Sequence, residues 1–191
     1  MTPPSKDVRG PIRVLHVDDD PDLAALTAQF LERNDDRIRV ETATDGAAGL
    51  DSFQSAEFDC VVSDYDMPRM DGLDLLRAVR QEDTAVPFIL YTGKGSEEVA
   101  SEAIAHGVTD YLQKESGTEQ YELLANRILN VVQQHRATRR AADLERIRRV
   151  LRDVNQALVR AETRDEIESR VVEIISEADP YCFVWIGDHD S

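Results

Sequence analysis

Phe58-Asp59-Cys60-Val61-Val62-Ser63-Asp64-Tyr65-Asp66-Met67-Pro68-Arg69-Met70-Asp71-Gly72 is the stretch from which the rest of the chain can be organised. Phe58 to Ser63 is apolar and β-branched, the composition of a strand covered on both faces. An acid, Asp64, stands immediately after it. A short loop with one proline follows, and Asp71 is placed to cap a helix carrying Leu73, Leu76 and Val79. The same strand–helix unit recurs on either side. Ile12 to Val17 predicts a first strand, followed by a helix to about Arg33 with Asp20 as N-cap and Pro21 at its first position. Arg37 to Thr42 alternates as a second strand, and Asp45 caps a helix with Ala47, Leu50 and Phe53. Val86 to Tyr91 is a fourth strand, after which Ser96 caps a helix to about His106. Val108 to Leu112 is a fifth, and a long helix begins near Thr118. Five such units predict an α/β fold with a parallel sheet covered on both faces. Sheets of this kind place their ligands at the carboxyl ends of the strands.

The residues just past those ends form a set. Asp18, Asp19 and Asp20 follow the first strand, Asp64 the third, Thr92 and Gly93 the fourth, and Lys114 the fifth. Clustered carboxylates repel one another unless a divalent cation joins them, and Mg2+ suits oxygen ligands. A Mg2+ ion with open positions can hold phosphate oxygens, and a carboxylate can then attack phosphorus to form an aspartyl phosphate. The Lys114 ammonium and the Thr92 hydroxyl are the types of group that stabilise charge on a phosphoryl group, and Gly93 leaves room beside the hydroxyl. Asp20 is accounted for by capping. Tyr91 to Ser96 hints at a phosphate loop, but Gly95 rather than Ser or Thr follows Lys94, and Phe88 stands in place of the first glycine.

Val17-Asp18-Asp19-Asp20-Pro21, Val61 to Gly72, Leu90-Tyr91-Thr92-Gly93 and Asp110-Tyr111-Leu112-Gln113-Lys114 resemble the receiver domain of response regulators. The resemblance covers roughly residues 10–135. It implies a flavodoxin-like doubly wound fold, a five-stranded parallel sheet, with Asp64 as the phosphoacceptor and a sensor histidine kinase as partner. It implies Mg2+ held by Asp19 directly, by Asp18, by Asp64 and by the backbone carbonyl of Asp66. Thr92 and Lys114 would contact the phosphoryl group, and Tyr111 would be the aromatic switch. One position departs from the pattern: Glu115 follows Lys114 where the family usually has proline, so the bond there is expected to be trans. A rival resemblance exists. Asp18-Asp19-Asp20 contains the Asp-x-Asp of haloacid-dehalogenase-type phosphohydrolases, which would make Asp18 the nucleophile of an enzyme. No acidic pair follows Lys114 at a strand end, which speaks against it. The receiver reading is of a phosphoacceptor that supports its own phosphotransfer and autodephosphorylation.

Charge and composition set limits. The chain has 191 residues, 41% hydrophobic, with a net charge of -16, which disfavours direct contact with nucleic acid. Its bases are 19 Arg and only 3 Lys, a pattern that suggests adaptation to concentrated salt. No apolar run approaches the roughly 18 residues that span a bilayer, and Met1 to Gly10 is a polar tail without a secretory signal. The chain is accordingly expected to be cytoplasmic, with no membrane contact. Cys60 and Cys182 sit in apolar runs and match no metal spacing.

The chemistry ends near residue 135. Residues 136–160 read as a linker helix in which Arg136 to Arg152 has seven Arg, taken as solvated. Leu144, Ile147, Leu151, Val154 and Leu158 form an a/d seam of two heptads, pointing to a homodimer through 136–160. Thr163-Arg164-Asp165-Glu166 is a capping box opening a helix with Ile167, Val171, Ile174 and Ile175. Tyr181 to Ile186 predicts a strand. This order of elements over residues 150–191, a partial α+β segment, resembles the opening of a GAF-type sensor domain.

Overall fold

Alternation along each strand decides what covers the sheet. The computed structural model describes residues 10–93, 97–160 and 163–177. Its strands are β1 (Ile12–Val17), β2 (Ile38–Ala43), β3 (Cys60–Ser63), β4 (Phe88–Thr92) and β5 (Asp110–Gln113). All pairings are parallel, in the order β2-β1-β3-β4-β5. That is the flavodoxin-like order, whose switch point lies between β1 and β3. Leu15, Val17, Val61, Phe88 and Leu90 point to one face, into a core shared with Leu73, Leu76 and Val79 of α3 (Gly72–Glu82). Ile12, Val14, Cys60, Val62, Ile89 and Tyr91 point to the other, against Leu31 of α1 (Pro21–Asn34) and Leu124, Ile128 and Val132 of α5 (Glu119–Arg160). Each large aliphatic side chain buried in this way stabilises the fold by about 1.5–3 kcal/mol.

The helix starts follow the expected caps. Asp20 accepts from the Asp22 and Leu23 amides, Asp45 from Ala48 at the start of α2 (Gly46–Ser55), and Asp71 from Leu73 and Asp74. Each cap contributes about 1 kcal/mol. Ser96, expected to cap α4 (Glu97–Ala105), lies outside the described residues. Strand bounds shift by a residue or two. The ladder of β3 begins at Cys60 rather than Phe58, because Asp59 gives its amide to Arg13 O and its carboxylate to other partners.

The chain divides into two compact units, Met1–Ala137 and Thr138–Ser191, and α5 contributes to both. Arg136, grouped from the sequence with a solvated run, is in fact buried at 8% exposure. It pairs with Asp59 at 3.0 Å and donates to the carbonyl of Pro11 at 2.7 Å. In the second unit α6 (Arg164–Glu177) follows α5, and Glu166 N–H donates to Thr163 Oγ1 at 3.3 Å, half of the expected capping box. The GAF-type reading of residues 150–191 finds no support. What is described there is helix, and the strand expected at Tyr181 to Ile186 lies outside the described residues. Among the described residues no helix is long and apolar enough to cross a membrane.

Candidate functional site

The ends of β1 and β3 bring the acids together, and the end of β5 brings a lysine to them. The β1–β3 pairing carries on past the strands, since Asp64 N–H donates to Val17 O at 2.8 Å. Asp18 and Asp64 therefore stand side by side at the switch point. Likewise Lys114 N–H donates to Thr92 O at 2.8 Å, which extends β5 alongside β4 and carries the lysine to the same edge.

Lys114 is the centre of the arrangement. Its Nζ lies 2.8 Å from Asp18 Oδ2 and 3.1 Å from Asp64 Oδ2, with the three side chains 14%, 1% and 12% exposed. The other oxygen of each acid is also engaged: Asp18 Oδ1 accepts from Asp20 N–H at 3.0 Å and Asp64 Oδ1 from Tyr65 N–H at 2.7 Å. Asp19 is exposed, and one oxygen from each of Asp18, Asp19 and Asp64 lies within 4.8 Å of the others. Two of the carboxylates share the one ammonium, and the third, Asp19, stands exposed beside them, so acids outnumber the base three to one. A hard divalent cation with oxygen ligands is the species such a donor set fits. Thr92 is fully buried at the end of β4. Asp66, two residues past Asp64, has an exposed side chain.

The loop after Asp64 is folded tightly over the site. Gly72 N–H and Met67 N–H both donate to Tyr65 O, at 2.9 and 3.1 Å. Arg69 adopts φ 71°, the left-handed region that costs a side-chain-bearing residue about 1–3 kcal/mol, and pairs with Asp45 at 3.2 Å. A Cβ on Gly72 would fall 2.2 Å from the Asp64 carbonyl oxygen, so only glycine lets α3 start this close to the acid. At Gly93, by contrast, a Cβ meets nothing within 4 Å among the described residues, so the space beside it is open.

Tyr111 is half-buried against the core on the α3 face, and its enclosed hydroxyl has no hydrogen-bond partner among the described residues. Burial raises its pKa.

Two contributors escaped the sequence reading. Gln120 binds the Tyr91 hydroxyl and the Glu115 amide through Oε1 and the Gly117 carbonyl through Nε2, so it pins the loop that holds Lys114. His16 lies under the site, fully buried, with Nε2 4.0 Å from Asp18 Oδ2 and no hydrogen bond from either ring nitrogen among the described residues. Burial is the main reason its pKa falls to about 4, the nearby Asp18 opposing and Lys114 assisting. The strand alternation at Val14 and His16 carried a signal for its burial, but none for what it faces.

Comparison with known proteins gives a consistent result. The family model described as response regulator receiver domain matches residues 14–126. The chain is 39% identical over 104 residues to the C4-dicarboxylate transport transcriptional regulatory protein DctD of Pseudomonas aeruginosa, covering 53% of this chain and 22% of that protein. It is 36% identical over 115 residues to the response regulator MprA of Mycolicibacterium vanbaalenii, covering 60% of this chain and 48% of that protein. The chain thus spans about half or less of the length of these relatives. Among solved structures, the chemotaxis protein CheY4 of Vibrio cholerae superposes with a TM-score of 0.57 at 31% identity, over 62% of this chain and 99% of that one. NtrX from Brucella abortus gives 0.62 at 27% identity, over 71% and 30%. These matches set aside the phosphohydrolase alternative with Asp18 as nucleophile. Asp18 is also the most deeply enclosed acid of the three.

Proposed function

The chain belongs to the response regulator receiver family, and from that premise we propose that Asp64 is its phosphoacceptor. The observation that carries this is the bridging of Asp64 and Asp18 by Lys114, at 3.1 and 2.8 Å, beside the third acid Asp19. The donor is the phosphoimidazole of a sensor histidine kinase. An Asp64 carboxylate oxygen attacks phosphorus, a P–O bond forms, the P–N bond breaks, and the leaving imidazole takes a proton from solvent. Lys114 stands where it can follow the incoming phosphoryl oxygens, and Thr92 lies at the adjoining strand end. Asp18, Asp19 and Asp64, with the carbonyl of Asp66, would hold Mg2+, which when bound neutralises charge on the phosphoryl group. Hydrolysis of the acyl phosphate by water then resets the site, which makes the chain a phosphoacceptor and not an enzyme acting on a separate substrate.

On this reading phosphorylation is a local charge change that biases a two-state surface. Thr92 moves toward the phosphoryl group and Tyr111 turns further inward. The half-buried ring and its unpartnered hydroxyl support that role, because such a group is held weakly where it is. Residues 11–135 are the receiver, 136–160 the linker helix, and 161–191 a distal segment. Output passes by association with a second copy through residues 136–160, in the cytoplasm and without direct contact to nucleic acid or membrane.

The test is incubation with acetyl phosphate and Mg2+. The parent should gain one phosphoryl group and Asp64→Asn none. Labelling that survives Asp64→Asn but is lost in Asp18→Asn would overturn the assignment.

A further inference from the structure

We infer that α5 packs against a second copy of this chain in parallel and in register, with Asp143 of one copy facing Arg148 of the other. The inference rests on the reading above that residues 136–160 self-associate, and adds orientation and register to it. Within the second unit Leu144, Ile147, Leu151 and Leu158 are 56, 51, 57 and 45% exposed, and Val154 is half-buried. Their alternating spacing of three and four places Leu144, Leu151 and Leu158 at the first apolar position of successive heptads and Ile147 and Val154 at the second. An uncovered apolar stripe on a helix asks for a partner of the same period, and a second copy supplies one by symmetry.

Charge selects the orientation. The residues bordering the seam are Asp143, Val150 and the buried Ala157 on one flank and Arg148 and Asn155 on the other. In a parallel pair in register, a residue on the first flank faces the partner residue five positions further along on the second. Asp143 then meets Arg148, and symmetry forms the contact twice; Val150 meets Asn155, with no charge at stake. An antiparallel pair sets like flank against like flank and forms neither ion pair. Both groups are available. Among the described residues Asp143 pairs with Arg146, at 3.4 Å with both exposed, and Arg148 makes no ion pair. Leu at the first position with Ile or Val at the second also suits bundles of three or four helices. The Asp143–Arg148 contact forms between neighbours in any of these, provided they are parallel and in register.

The experiment is sedimentation of the full chain with Mg2+, with and without beryllofluoride. The parent should associate. Asp143→Arg alone and Arg148→Asp alone should each weaken association about tenfold, since two attractive contacts become repulsive. An equimolar mixture of the two variants should recover the parent's association, because opposite signs face each other again in the mixed species. With Cys60→Ala and Cys182→Ser in place, Leu144→Cys should oxidise to a disulfide with its own counterpart. Variants that associate like the parent, or a mixture without recovery, would overturn the orientation and leave self-association standing. A parent that stays monomeric in both conditions would remove self-association and the inference with it.

Discussion

Replacing Gly72 with alanine tests the close approach on which the placement of Asp64 depends. The new Cβ would fall 2.2 Å from the Asp64 carbonyl oxygen, 2.8 Å from Leu90 Cδ1 and 3.0 Å from Tyr65 Cα. Ordinary contacts of a carbon with an oxygen lie near 3.3 Å or beyond, so the loop or α3 must retreat by about 1 Å. The Leu90 tip can turn aside. The Asp64 carbonyl cannot move alone, because it belongs to a main chain tied to β1 at Val17 by a 2.8 Å hydrogen bond. Overpacking of this kind costs about 1–3 kcal/mol. Gly72 is not among the positive-φ residues, so alanine also restricts the unfolded chain and returns about 0.4–1 kcal/mol. The net loss is from near zero to about 2.6 kcal/mol, or a Tm lower by up to roughly 10 °C for a domain of this size. The effect on chemistry is larger, since about 1 Å of misplacement at a reacting group can cost about 100-fold in rate. Thermal unfolding and acetyl phosphate labelling read the two effects separately. Gly93→Ala is the control, as its Cβ meets nothing within 4 Å, and both readings should match the parent. A Gly72→Ala variant with the parent's Tm and labelling rate would refute the claim that this contact sets the acid.

Three further outcomes follow from the geometry. Lys114→Met leaves Asp18 and Asp64 enclosed without their shared cation, so the Tm should fall without divalent ions by the equivalent of about 1–3 kcal/mol, and Mg2+ should restore more stability than it adds to the parent; a Tm indifferent to the change would contradict the pairing. Arg136→Ala leaves the Asp59 carboxylate enclosed and should cost about 3–5 kcal/mol in urea unfolding, whereas a loss below about 1 kcal/mol would show that the pair contributes little. His16 has a folded pKa of about 4 against an ordinary 6.5, so between those values the unfolded chain binds the extra proton. Its contribution is intact above pH 6.5 and is lost as the pH falls toward about 4, up to about 3 kcal/mol; His16→Leu should remove that slope, and a parent and variant with parallel stability curves from pH 7 to 5 would count against it.

The fold was legible because its signals are local. Asp20, Asp45 and Asp71 precede helices by one residue, and apolar alternation assigns each strand to its two faces without knowledge of the partner elements. The site was legible for the same reason: a parallel sheet delivers whatever follows its strands to one edge, so Asp18, Asp64 and Lys114 could be grouped although 96 residues separate the first from the last. What escaped depended on long-range pairing with no local mark. Arg136 looked like one of seven arginines, and it is set apart by contacts far away in sequence, with Asp59, 77 residues away, and with the carbonyl of Pro11, 125 residues away. Gln120 is a polar residue at a helix start until the Tyr91 hydroxyl is placed beside it.

Borohydride reduction followed by peptide mapping identifies directly which carboxylate carries the phosphoryl group. An aspartyl phosphate is an acyl phosphate, which borohydride reduces to the alcohol, leaving homoserine at the phosphorylated position. After treatment of the full chain with acetyl phosphate and Mg2+, the peptide containing Cys60 to Arg69 should carry homoserine at position 64 and aspartate at position 66. Homoserine at position 18 or 19, with position 64 unchanged, would contradict the assignment of Asp64 and the site built around it.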